Sequence, residues 1–165
     1  MLRGKAYILI PLGDIMANDF LENHSVVDEI IKLIESARDE LTIITPFLNL
    51  DPRMKNALNS AKNSDVSITL YTKWKEKLAA KDEKHIDFFK SIGAEIVFID
   101  RLHSKLYVNE REAVMCSMNM VAGSQSDSQE IGIFTNDERL VRDFNAYAGR
   151  MYKRKMSDDF SPKKS

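Results

Sequence analysis

The chain has little of what several protein classes need. It holds one cysteine in 165 residues, so an internal disulfide, a disulfide framework and a cysteine-based zinc cluster are excluded. That residue, Cys116, falls on the apolar side of an alternating run and reads as a small buried side chain. No charge of one sign dominates, because 24 Lys and Arg stand against 25 Asp and Glu. The whole molecule is therefore not a basic nucleic-acid binder, and any attraction for a polyanion must be local. No apolar run approaches the length of a membrane span, and stable insertion is not expected. Arg3 and Lys5 precede the apolar stretch Ala6–Leu12 as in a weak signal sequence. The stretch is short, however, Asp14 follows, and no small-x-small cleavage site is clear. It reads as a first strand, and cytoplasmic residence is the expectation. No His, Asp and Glu cluster has metal-ligand spacing, so neither metal nor cofactor is expected. Histidine itself is scarce, with His24, His85 and His103 the three present.

What is present suffices for one domain over residues 1–154, with a polar tail over 155–165. The spacing predicts a helix from Val26 to about Arg38, capped by Ser25, with Val26, Ile30, Leu33, Ile34 and Ala37 on one stripe. Leu41–Thr45 is rich in β-branched residues and reads as a strand. Asp51-Pro52 opens a second helix, with Leu58 and Ala61 on its buried face. Val66–Tyr71 is the next strand. Asp82 opens a helix through Ile86 and Phe89, which Gly93 stops. Glu95–Ile99 is a strand, Gln129–Phe134 another, and a last helix starts near Asp137. Strand and helix alternate through the first half, which implies parallel pairing, and hairpin strands follow. The predicted fold is α/β, a mixed, mostly parallel β-sheet flanked by helices on both faces. No internal repeat is visible.

The chemistry concentrates between residues 103 and 130. His103-Ser-Lys105 starts this stretch, Ser117-Met-Asn119 follows, and Glu130 lies inside the apolar run Gln129–Phe134. Residues two apart in a strand share a face, so His103 pairs with Lys105 and Ser117 with Asn119. The stretch between reads as a hairpin. A three-residue loop, Glu110-Arg111-Glu112, places all four polar tips on one face. Leu106, Val108, Val114, Cys116 and Met118 then occupy the other face. A carboxylate inside an apolar strand needs a partner, and an imidazole N–H is a plausible one for Glu130. Glu76 and Lys77 belong to a run that also contains Lys73, Trp74 and Lys75 after a strand end. There the indole could stack on a base and the ammoniums meet phosphates, or the loop could simply be solvated.

The order and spacing of His103, Lys105, Ser117, Asn119 and Glu130 resemble the signature of the phospholipase D superfamily: His-x-Lys, an aspartate, Gly-Ser-x-Asn and a later acidic residue. The aspartate position holds Asn109 or Glu110, the glycine is Cys116, and the motif is one residue shorter than the common pattern. The resemblance extends over residues 20–154 in layout and is specific over 103–130. It implies a metal-independent phosphodiesterase in which a histidine attacks phosphorus. The motif occurs once. His24 and His85 read as solvated surface residues, so the second imidazole that such chemistry needs is expected from another copy in a homodimer. The resemblance implies this arrangement, since short single-motif relatives, bacterial endonucleases among them, work so. DNA or RNA is the expected substrate. A phospholipid phosphodiesterase or phosphatidyltransferase, or a non-catalytic nucleic-acid-binding module, are the other readings.

Overall fold

The computed structural model describes residues 17–75, 79–121 and 129–153. The strand expected over 6–12 and the tail over 155–165 lie outside the described residues, as do residues 122–128 between the motif's serine and glutamate. In chain order the elements are β1 (Asn18–Glu22), α1 (His24–Ser36), β2 (Glu40–Ile44), β3 (Leu48–Asn49), α2 (Pro52–Asn63), β4 (Ser67–Lys73) and α3 (Ala80–Ser91). They continue with β5 (Glu95–Ile99), β6 (Leu106–Asn109), β7 (Ala113–Cys116), β8 (Met120–Val121), β9 (Ile131–Thr135) and α4 (Glu138–Tyr152).

Seven strands form one sheet in the order β1-β9-β7-β6-β2-β4-β5, and β3 pairs with β8 in a small second sheet. β2, β4 and β5 pair in parallel, linked by helical crossovers. The hairpin half pairs antiparallel, so β6 and β9 run against the other strands of the sheet. One edge of the sheet therefore gathers the C-terminal ends of β1, β2, β4, β5 and β7 with the N-terminal ends of β6 and β9. All the loops carrying the candidate residues open there.

Two apolar cores lie on opposite faces of the sheet. On one face Val26, Ile30, Leu33 and Ile34 of α1 pack with Met54 and Leu58 of α2 and Phe89 of α3 over Leu41, Leu70 and Tyr107. On the other, Val141, Ala148 and Met151 of α4 cover Ile44, Tyr71, Val97, Leu106 and Val108. Burying each such Leu, Ile or Val contributes about 1.5–3 kcal/mol. The α4 cover reaches β6 and β2, but Met115, Ile131, Ile133 and Phe20 on β7, β9 and β1 remain exposed on that face. No helix among the described residues is long and apolar enough to cross a membrane.

The helix starts follow their expected residues in two of four cases; α3 starts at Ala80, two residues before Asp82, which lies in its first turn. Asp51 accepts from Met54 N at 2.8 Å ahead of Pro52, and Asp137 accepts from Arg139 N and Leu140 N at 2.8 and 3.1 Å. Ser25 is not the cap of α1. The helix begins two residues earlier than expected, with Asn23 at the cap position, and the Ser25 hydroxyl instead donates to Glu22 O and accepts from Glu22 N.

The hairpin register also differs from expectation. Leu106 pairs with Met115, Tyr107 with Val114 and Val108 with Ala113, so the loop is Glu110-Arg111. Leu106, Val108 and Ala113 face α4, whereas Tyr107, Val114 and Cys116 face α1. Both faces of the hairpin carry buried apolar residues, which removes the polar-versus-apolar contrast on which the three-residue loop was argued. The shift does not scatter the motif, because β6 starts after Lys105 and β7 ends before Ser117. The functional residues sit in irregular backbone beyond the strand ends, where pleat alternation does not bind them.

Candidate active site

His103 and Lys105 share one side of their segment. Lys105 Nζ lies 3.4 Å from His103 Nδ1. An ammonium can only donate, so a hydrogen bond between the two has Nδ1 as its acceptor. Ser104 points the other way and shares a 2.7 Å hydrogen bond with the Tyr147 hydroxyl of α4. That bond ties the segment to the helix on the far face and leaves the imidazole and ammonium exposed and half-buried respectively.

Ser117 and Glu130 form the second pair. The Ser117 hydroxyl donates to Glu130 Oε2 and accepts from Ile131 N at 3.1 Å. Ser117 N donates to Ile131 O at 2.9 Å, extending the β7–β9 ladder to the lip of the site. The Glu130 carboxylate is thus engaged by a hydroxyl rather than by the imidazole N–H suggested from sequence. Between the pairs, Cys116 N donates to Lys105 O at 3.3 Å. Asn119 follows, and its Oδ1 is buried with no hydrogen-bond partner among the described residues. The next residue is anchored: Met120 N donates to Thr45 Oγ1 at 3.2 Å, and that hydroxyl donates to Phe47 O. Thr45, which sequence reading left as an ordinary strand residue, therefore holds the Ser-x-Asn loop from below.

The departures from the motif have structural explanations. Asn109, one of the two residues at the aspartate position, is fully buried. Its Oδ1 accepts from Arg111 N and Glu112 N, both at 2.8 Å, closing the hairpin loop. Its Nδ2 donates to Leu33 O and Ser36 Oγ at 3.0 and 2.9 Å, tying the loop to α1. Glu110 accepts from Arg38 N instead. Partial burial raises its pKa, but the backbone N–H donors outweigh this and hold the carboxyl below its usual range. Cys116 replaces the motif's glycine and lies opposite Gly132, where a Cβ would stand 3.0 Å from that of Cys116. The larger side chain fits because its cross-strand neighbour has none. Burial pushes the thiol up to about 12, so it stays protonated and is no nucleophile.

Besides Thr45, two more residues missed in sequence reading belong to this region. The Tyr107 hydroxyl is fully buried beneath the site; burial, with Cys116 next, pushes its pKa well up, and the neighbouring Thr45 hydroxyl opposes them. Asn23, at the end of β1, meets the backbone of Glu130. Of the flanking basic loop, Lys73 ends β4, and Trp74 N donates to Ile99 O at 3.0 Å. Lys75 is taken up by Asp82 at 2.7 Å and lies over the Phe47 ring at 5.4 Å. His24 is exposed at the start of α1, at the same sheet edge. His85 is not a surface residue: it is 3% exposed, on the stripe of α3 that carries Phe89 and Ile92.

With this geometry in view, residues 30–152 match the family described as cardiolipin synthase, PLD-like domain. The chain belongs to the phospholipase D superfamily. Its fold is that of Nuc from Salmonella typhimurium, a phospholipase D family member, with a TM-score of 0.76 at 13% identity over 86% of this chain and 97% of that one. NucT from Helicobacter pylori is as similar, with a TM-score of 0.76 at 13% identity over 86% of this chain and 98% of its own. Phosphatidylserine synthase from Haemophilus influenzae aligns with a TM-score of 0.68 at 11% identity, covering 88% of this chain and 40% of that protein. No curated protein matches the chain by sequence.

Proposed function

We propose that this phospholipase D-like chain is a metal-independent nuclease that hydrolyses DNA or RNA through a phosphohistidine, at a site shared by two copies. The observation that carries this is the meeting, at one sheet edge, of the His103–Lys105 pair with the hydroxyl–carboxylate pair of Ser117 and Glu130. A phosphodiester anion repels nucleophiles, and its leaving group departs poorly. Lys105 and the Asn119 amide offer donors to the non-bridging oxygens. A neutral ring nitrogen of His103 attacks phosphorus, and the P–N bond forms as the P–O bond to the leaving group breaks. A protonated imidazole gives its proton to the departing oxygen. It then takes a proton from water, whose oxygen displaces the ring nitrogen from phosphorus. Glu130 supplies the negative charge that favours imidazolium formation. Lys73 and Trp74 sit at the same edge and suit a strand passing over it, whereas Lys75 is committed to Asp82.

In this reading homodimerisation supplies the second imidazole; His85 is buried, and His24, exposed at the same sheet edge, is the alternative within one copy. A seat for the second copy is at hand. Phe20 pairs with Ile133 and Ile133 with Met115 across β1, β9 and β7. With Ile131 beside Glu130, they form an exposed apolar strip that abuts the site. Cardiolipin synthase in the family description and the likeness to phosphatidylserine synthase favour one second reading, in which a lipid phosphodiester is cleaved by the same groups.

The test is incubation of wild type and His103→Ala with single-stranded and duplex DNA and RNA in EDTA. Cleavage by wild type alone is expected. A wild type inert on all four, yet turning over a phospholipid, would move the assignment to the lipid. Light scattering of Ile133→Asp is expected to show monomers that no longer cleave. Fully active monomers would sink the shared site, and loss of activity in His24→Ala would then make His24 the second imidazole.

A further inference from the structure

We infer that Asn23 is a positioning residue that sets the Glu130 carboxylate at the site, a role that rests on the assignment of Glu130 made above. Asn23 grips both main-chain polar groups of that one residue. Its backbone N–H donates to Glu130 O at 2.8 Å, and its side-chain Oδ1 accepts from Glu130 N at 3.0 Å. Glu130 is then fixed at two ends, by Asn23 at the main chain and by the Ser117 hydroxyl at Oε2. Since Ser117 is itself locked to Ile131 through its N–H and Oγ, the carboxylate has little freedom to swing away from the motif.

The backbone of Asn23 is held in a conformation that side chains disfavour. Its φ is +49° and its ψ −116°, which lies outside the left-handed helical basin where asparagine rests comfortably. Glycine would adopt this shape without strain but has no acceptor for the Glu130 N–H. Around it, the turn is braced from both sides. Ser25 bonds Glu22 reciprocally at 2.7 and 2.8 Å, and Val26 N donates to Asn23 O at 3.1 Å. Strain of this kind persists where the surroundings over-determine it, and it gathers at functional sites. Here its effect is to turn an N-cap residue away from its own helix, to which its side chain makes no capping bond, and onto the strand that bears the candidate carboxylate.

The role separates from a merely structural one in a double-mutant cycle with Glu130→Gln. Turnover of a chromogenic bis(nitrophenyl) phosphate is compared for wild type, Asn23→Gly, Glu130→Gln and the double variant, with melting temperatures alongside. Asn23→Gly is expected to lower kcat about 5- to 30-fold with KM unchanged, because misplacement of a catalytic group acts on the transition state. Its melting temperature should not fall, since glycine accepts the positive φ. In the Glu130→Gln background the same change should cost nothing further. Asn23→Asp, which keeps an acceptor oxygen for the Glu130 N–H, should stay within about threefold of wild type. Equal losses in both backgrounds, or a lower melting temperature with kcat intact, would overturn the role. Full activity of Glu130→Gln, or a wild type inert on the probe, would instead fail the assignment of Glu130. Amide hydrogen exchange decides the clamp independently of turnover. The Glu130 N–H should exchange faster in Asn23→Gly and at the wild-type rate in Asn23→Asp, and an unchanged rate in both would refute it.

Discussion

The two ends of the β6–β7 hairpin carry an asparagine each from the same motif, and they treat it oppositely. At the loop end Asn109 is fully buried and every polar atom of its amide is used, by Arg111 N, Glu112 N, Leu33 O and Ser36 Oγ. Glu110 and Glu112 beside it are bonded in turn, to Arg38 N and to the Ser36 hydroxyl. At the open end Asn119 Oδ1 is buried with no hydrogen-bond partner among the described residues. The exposed imidazole there has as its neighbour an ammonium. Buried polar atoms are normally satisfied, and an exception asks for a reason. The loop end spends its hydrogen-bonding capacity on holding the fold, while the open end keeps capacity in reserve. A cleft of about 680 Å³, lined by Glu110, Arg111, Asn136, Arg139 and Arg142, lies at the saturated end.

The sharpest way to break this contrast is to remove one group from each end. Lys105→Met is expected to lower turnover about 10²- to 10³-fold, the usual loss for one preorganised donor to a developing charge. Its stability should stay within about 0.5 kcal/mol of wild type, because the side chain anchors nothing buried. Asn109→Ala should do the reverse. It orphans two N–H donors and removes the tie to α1, and urea denaturation should show a loss of about 2–4 kcal/mol. The protein that remains folded should turn over at the wild-type rate per active site. A large drop in kcat for Asn109→Ala at a temperature where it is fully folded would mean that the two ends are not separable.

Most of the fold was legible because its signals are local. The α1 stripe, the Asp51-Pro52 and Asp137 caps, the strand Glu95–Ile99 and the strand before Asp137 all follow from residues within a few positions of one another. β1 was not, since four of its five residues are exposed and its pattern has no apolar face to read. β3 and β8 are two residues each, too short for any period. The register failed for a physical reason. The polar tips were assumed to obey the pleat, whereas the strands stop at Leu106 and Cys116 and leave the tips in free backbone. The motif residues of the site were legible individually, but their support was not. Thr45, Tyr107 and Asn23 reach the site from distant positions in sequence, through contacts that no spacing rule encodes.

His85 gives the finest test, because it is an orphan atom far in sequence from the motif. The charged run Lys81-Asp-Glu-Lys-His85 suggested a solvated residue, yet His85 shares the i, i+4, i+7 stripe with Phe89 and Ile92, a signal that was there to be read. Its Nδ1 is buried without a partner. Burial lowers its pKa from the ordinary 6.5, Lys55 and Lys84 lower it further, and Asp82 opposes them. The folded value lies below the unfolded one, so between the two the unfolded chain binds more protons and stability rises with pH. The contribution of a neutral His85 is fully present above the ordinary value of 6.5 and is lost as pH falls through the folded value. One such group adds a slope of at most about 1.4 kcal/mol per pH unit. His85→Leu should abolish that slope and leave stability near neutral pH unchanged or slightly higher, since it removes an unsatisfied polar atom from a buried position. Urea midpoints at pH values stepped below neutrality would show this. A variant as acid-sensitive as wild type would mean that the slope originates elsewhere, and that an orphan atom outside the site carries no measurable cost.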